Sequence, residues 1–152
     1  MIVAVCSDHR GFECKRHMLV VLRRLGHEVI DVGCDGTGPA DYPDFAVLLA
    51  RLVSVGKADV GICFDGTGVG MSMTANRFRG VRAAQVYDEV HARRAREHNH
   101  ANVLSLGADL IGDEQMRKII EIFLATPYGE GRHRRRVEKI EQFGHVVGDG
   151  GN

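Results

Sequence analysis

Val60-Gly61-Ile62-Cys63-Phe64 runs without a polar break into Asp65-Gly66-Thr67-Gly68-Val69-Gly70, and this junction decides the fold. A short apolar run bounded by a turn has the length and composition of a strand buried on both faces. Three glycines at alternate positions let the backbone turn tightly and aim N–H groups at one point. The helix expected from Val69 to Arg77 adds the positive end of its dipole. A strand, such a loop and a helix N-terminus together make a cradle for a phosphate or a developing oxyanion. The spacing is not GxGxxG, and no P-loop lysine follows. A strand-to-helix turn that merely needs glycine would look the same.

Outward from this junction, apolar runs alternate with amphipathic segments. Strands are expected at Ile2–Cys6, Glu28–Val32, Val81–Ala84 and Val103–Leu106. Phe12–Leu25 carries Met18, Leu19, Leu22 and Leu25 at helical spacing, and Gly26 supplies the stop. Gly33 to Tyr42 reads as a loop, and Pro43 suits the first turn of a helix to about Val55. Further helices are expected at Glu89–Glu97, at Asp113–Leu124 with Asp113 as N-cap, and at Arg132–Phe143. Strand–helix alternation of this kind predicts an α/β fold, a five-stranded parallel sheet with helices on both faces. Residues 1–143 form one domain in this reading, and the glycine-bearing stretch 144–152 is a flexible tail.

Composition excludes several classes. The chain has 152 residues, 44% hydrophobic and 26% charged, with zero formal net charge. That balance argues against a basic nucleic-acid binder and against an acidic solvating tail. Cys6, Cys14, Cys34 and Cys63 form no CxxC pair and no zinc-ligand spacing, so they read as reduced thiols in a cytoplasmic protein. No basic signal-peptide start and no membrane-length apolar run is present, so no membrane partner is expected.

Ligands bind open parallel sheets outside the carboxyl ends of the strands. Asp8-His9 follows the first expected strand and could bind sugar hydroxyls or assist proton transfer. Asp8 as a helix cap beside a surface His9 explains the same pair. Arg132 and Arg136, four apart, share one helical face and suit a phosphate clamp. The run Arg132 to Arg136 also reads as a solvated basic face. A nucleic-acid patch is a third reading, weakened by the zero net charge and the lack of interleaved aromatics. His98-Asn99 lies at the end of a charged helix, and from pattern alone it has no assigned place.

In order along the chain stand Asp8-His9-x-Gly11, Asp41-Tyr42-Pro43, Gly66-Thr67-Gly68-Val69-Gly70, Ala75-Asn76, His98-Asn99 and Asn102-Val103-Leu104. They are followed by Gly131-Arg132-His133-x-x-Arg136-Val137. This series resembles the type B ribose-5-phosphate isomerase family, which includes galactose-6-phosphate isomerase subunits, over about residues 1 to 143. The resemblance implies a Rossmann-like three-layer sandwich. It implies a homodimer, or a dimer of such dimers, with active sites shared across the interface. It implies interconversion of ribose 5-phosphate and ribulose 5-phosphate through an enediolate, with no metal and no cofactor. It gives Asp8, His9, Asn99 and Tyr42 to the sugar. His98 becomes the acid that opens the furanose ring, with Thr67 near the ring oxygen. The backbone of Gly66, Thr67, Gly68, Val69 and Gly70 would hold the enediolate, and Arg132 and Arg136 the phosphate.

The chain departs from that pattern twice. Many members of the family place a cysteine base directly before the Gly-Thr-Gly, and others a glutamate a few residues on. Here the positions hold Asp65 and Met71. Asp65 is therefore the expected base, since a carboxylate can run aldose–ketose isomerisation. Cys63, two residues earlier, is the lesser candidate, or simply a small core residue. Asp109 stands where an arginine usually meets phosphate, and Arg10, Arg134 or Arg135 could compensate. These departures keep three other readings open: an isomerase of a hexose or tetrose phosphate, a binding paralogue that has lost its base, and a flavodoxin-like interaction domain.

Overall fold

The sheet carries five parallel strands in the order β2-β1-β3-β5-β4. They are β1 (Ile2–Ser7), β2 (Glu28–Asp31), β3 (Val60–Asp65), β4 (Ala83–Gln85) and β5 (Val103–Gly107). Helices α1 (Phe12–Arg24), α2 (Tyr42–Ser54), α3 (Val69–Ala75), α4 (Glu89–Asn99), α5 (Asp113–Ala125) and α6 (Arg132–Phe143) connect and follow them. The computed structural model describes residues 1–143; the expected flexible tail lies outside the described residues.

Side-chain alternation sorts the core into two layers around the sheet. Val3, Val5, Ile62, Phe64, Leu104 and Leu106 pack with buried residues of α1, α4 and α5. Ala4, Cys6, Cys63 and Val103 pack with those of α2 and α3. Both faces are covered, so the central strands read as continuous apolar runs. The α2 face uses small residues because that helix lies close: a Cβ on Gly61 would stand 2.4 Å from Leu49. The result is the three-layer α/β sandwich expected.

Four details differ from the sequence reading, the first two because a side chain competes with the backbone. Strand β4 starts at Ala83 rather than Val81. The Arg82 N–H donates to Asn102 Oδ1, and Asn76 takes both the N–H and the carbonyl of Ala83. Helix α3 stops at Ala75 for the same reason, since Asn76 caps it. Helix α4 runs on to Asn99 and ends at His100, whose φ of 49° is left-handed. Gly112, not Asp113, is the N-cap of α5, and Asp113 is its first helical residue. There its charge still faces the positive end of the helix dipole, and its carboxylate meets His17.

Lys15 is fully buried in α1, where its Nζ donates to Asp31 Oδ1 at 2.7 Å and to the Cys34 carbonyl at 2.8 Å. It ties α1 to the end of β2. Removing it strands a partly buried carboxylate and an unpaired carbonyl. Lys15→Ala is expected to cost about 3–5 kcal/mol, read as a fall in the urea midpoint. A change under about 1 kcal/mol would show that water replaces the ammonium without loss. Among the described residues, no helix is long and apolar enough to cross a membrane.

Candidate active site

Strands β1, β3 and β5 lie side by side, and each ends near an aspartate: Asp8, Asp65 and Asp109. The helix after β1 packs on one face of the sheet and the helix after β3 on the other. A crevice therefore opens at the carboxyl ends of these two strands, the usual ligand position in such sheets. Asp8 closes the first turn, with Oδ1 accepting from the N–H groups of Arg10 and Gly11. Gly11, not Asp8, is the N-cap of α1. A Cβ on Gly11 would stand 2.2 Å from the Phe64 carbonyl oxygen, so this approach of β1 and β3 requires glycine.

Asp65 is 4% exposed, and its carboxylate turns into its own loop. Oδ1 accepts from the Thr67 N–H (3.1 Å) and the Gly68 N–H, and Oδ2 from the Met71 N–H (3.2 Å). Two of the backbone donors expected to hold an enediolate thus already hold a carboxylate. Among the described residues, the N–H groups of Gly66 and Gly70 have no partner, while Val69 N–H faces Thr67 Oγ1 at 3.4 Å. Burial pushes the Asp65 carboxyl above its ordinary value; the N–H groups of Gly68, Met71 and Thr67 pull it back, and Asp8 adds repulsion. A buried carboxylate raised in this way is a better base than an exposed one.

Residues that the sequence reading passed over brace the loop. Ser105 Oγ donates to the Gly68 carbonyl at 2.7 Å, and Gln85 Nε2 to the Thr67 carbonyl at 2.6 Å. Gly107 admits the Thr67 backbone, to which a Cβ would stand 2.8 Å. Ser105 was detectable as a polar residue inside an apolar strand, but its partner was not. Gly68 itself has φ of 84°, so its glycine is required.

The mouth of the crevice is built by three neighbours. His9 Nδ1 lies 3.2 Å from both the N–H and the carbonyl of Ala40. The Tyr42 ring lies against Gly70, where a Cβ would stand 2.6 Å from it. Arg10 pairs with Asp109 above Gly66. Gly70→Ala should push Tyr42 outward and raise KM several-fold. An unchanged KM in Gly70→Ala would place substrate away from this wall. Cys63 is fully buried and faces the α2–α3 layer together with Cys6 and Met71. It points into the core, not into the crevice.

The remaining expected residues stand at the other end of the sheet. His98 and Asn99 close α4, just before β5 begins, whereas the glycine loop lies beside the end of β5, where Asp65 pairs with Gly107. Four strand steps at about 3.3 Å put these ends roughly 13 Å apart. One chain does not bring the two groups together. His98 does meet the start of α6: its ring stacks on His133 with centroids 4.2 Å apart, one position from Arg132. Burial and the nearby His98, Arg132 and Arg136 hold the His133 imidazole below its ordinary pKa. Arg132 and Arg136 are both exposed there.

Arg96 assembles this second group. It is buried, donates to the carbonyls of Thr126 (3.2 Å) and Ala101 (2.7 Å), and lies over the Phe123 and Tyr128 rings. Gly129 N–H donates to the Glu97 carbonyl at 3.0 Å. The segment leading into α6 is thereby fastened to the end of α4. In sequence, Arg96 was indistinguishable from the other arginines of a charged helix.

A family model described as ribose/galactose isomerase matches residues 3–140. The chain belongs to that family. It is 40% identical over 138 residues to ribose-5-phosphate isomerase B of Escherichia coli, covering 91% of this chain and 93% of that protein. It is similar to the ribose-5-phosphate isomerase B structure from Clostridium thermocellum, with TM-score 0.93, 40% identity, and 94% and 97% of the two chains covered. It is also similar to the Mycoplasma genitalium ribose-5-phosphate isomerase B with bound ribulose-5-phosphate, with TM-score 0.90, 39% identity, and 93% and 95% covered. The activity class expected from the sequence, an aldose–ketose isomerase of sugar phosphates, agrees with these relatives.

Proposed function

We propose that this chain interconverts ribose 5-phosphate and ribulose 5-phosphate through an enediolate, without a metal ion, in a site shared between two copies. The observation that carries the reading is the buried Asp65 carboxylate inside a nest of backbone N–H groups at the sheet's carboxyl edge. That arrangement joins a base to the donors its product anion needs.

In the forward direction His98 gives a proton to the ring oxygen as the C1–ring-oxygen bond breaks, the C1 hydroxyl gives up its proton to water, and the furanose opens to the aldehyde. Asp65 then takes the C2 proton. The C2–H electron pair forms the C1–C2 double bond, and the carbonyl pair moves to O1. Negative charge leaves Asp65 as it appears on the enediolate. The Thr67 and Gly68 N–H groups bind the neutral acid less well than the carboxylate, so they are released to the new anion. Asp65 returns the proton to C1, O1 is protonated, and the 2-hydroxyl proton is lost to give the ketose. Arg132 and Arg136 hold the phosphate, whose remote binding energy positions the carbons.

Two copies are needed because the loop and the His98–Arg132 group lie at opposite ends of one chain's sheet. A coupled assay with ribose 5-phosphate tests the reaction, with EDTA-treated protein expected to run at the untreated rate. The loop donors already held by Asp65 favour one rival, a sugar-phosphate binder without turnover. Deuterium from solvent should enter C1 of product; binding of ribose 5-phosphate with no exchange would establish the rival.

A further inference from the structure

The Arg10–Asp109 pair spans the crevice from the end of β1 to the end of β5, directly across the loop of β3. Arg10 Nε and Nη2 both donate to Asp109 Oδ2, at 3.0 and 2.6 Å. A Cβ on Gly66 would stand 2.9 Å from Arg10 Nε and 3.0 Å from Asp109 Oδ2, so the pair rests on the loop's first glycine. Both partners are fastened to the site by backbone. Arg10 N–H donates to Asp8 Oδ1, and Asp109 N–H donates to the Gly66 carbonyl. The side chains are 56% and 40% exposed, and a pair so exposed contributes little to stability. Its position is the feature to explain.

We propose that Arg10 contacts the substrate's phosphate and that Asp109 is a positioning residue, holding the guanidinium over Gly66. This deepens the isomerase reading and rests on it. Asp109 occupies one edge of the guanidinium, through Nε and Nη2. The Nη1–Nη2 edge keeps free donors in the fork geometry that matches two phosphoryl oxygens. The neighbouring carboxylates Asp8 and Asp65 are each turned into backbone N–H groups, which compensate their charge. What faces outward at the mouth is therefore the Arg10–Asp109 pair, whose donor side is the Nη1–Nη2 edge of Arg10. That edge meets from the loop side the phosphate that Arg132 and Arg136 of a second copy meet from the other.

The test compares ribose 5-phosphate with unphosphorylated ribose. Arg10→Ala should lower kcat/KM for the phosphate ester about 10- to 100-fold, mainly through KM, and leave the rate with ribose unchanged. Asp109→Ala should raise KM for the ester by roughly 3- to 10-fold, because the guanidinium is no longer aimed. Asp109→Asn keeps an acceptor oxygen for Arg10 and should stay within about twofold of wild type. Melting temperatures should be unchanged in all three. Equal losses on both substrates, or a KM that falls in both Asp109 variants, would overturn the inference; the second result would mean that Asp109 only repels phosphate. A wild-type chain with no isomerase activity would count against the reaction, not against Arg10. In that event calorimetric binding of ribose 5-phosphate decides, and Arg10→Ala must weaken it about tenfold or more.

Discussion

Asp65→Asn is expected to lower kcat for ribose 5-phosphate by about 10²- to 10⁴-fold, the usual worth of a positioned base. Deuterium exchange into product should fall in parallel, because the same group takes and returns the proton. The substitution also places an amide NH2 among the loop's N–H donors, so a folding defect has to be separated from a chemical one. Asp65→Ser serves that purpose: its hydroxyl still accepts from loop N–H groups but cannot act as the base. Both variants should be equally inactive, and the serine variant should keep its circular dichroism. Near-full activity in either would remove Asp65 from the chemistry.

The same carboxyl predicts two pH effects. It must be ionised to act, and burial raises it above its ordinary 3.8. The wild-type rate should therefore fall on acidification at a pH above that value. Stability carries the opposite sign. The folded protein holds this proton more tightly than the unfolded chain, so stability declines as pH rises from 3.8 through the folded value. Asp65→Ser should remove that share of the decline in urea titrations across the interval.

Mixing two dead variants should restore activity. On the proposed reading Asp65→Asn loses the loop half of a site and His98→Ala the other half, and these groups stand at opposite ends of one sheet. In a hybrid dimer one site collects both lesions and the other collects neither. Random pairing of equal amounts makes half the dimers hybrid, so about a quarter of wild-type activity should return. Refolding the two together, with each alone as control, provides the measurement. Hybrid dimers seen by mass without recovered activity would mean that each site is built within one chain. The large expected effect follows from the proposed sharing of the site, since on that reading neither half functions alone.

Much of this was legible in the sequence because it depends on local pattern. Apolar runs of strand length between amphipathic segments leave a buried parallel sheet as the way to cover both faces. Spacing picked out Asp65 with its glycines, Asp8-His9 and Arg132 with Arg136 as candidates, and the family resemblance supplied their expected roles. Element ends were less legible. Asn76 and Asn102 shift β4 by bonding to backbone 7 and 20 residues away, and such side-chain partners carry no hydrophobic period.

Partnership across the fold was decided only by tertiary structure. Arg96 and Ser105 became visible as supports once the carbonyls they serve, at Thr126, Ala101 and Gly68, were in place. Arg10 and Asp109, 99 residues apart, meet because β1 and β5 flank β3. The sequence by itself determined the layers, the loop and its chemistry, since backbone freedom and hydrophobic period are properties of neighbouring residues. The tertiary structure decided which side chains share an end of the sheet, because strand order is set by packing between distant segments. It turned Asp65 into the loop's own anion, and it put His98 beyond the reach of that loop within one chain.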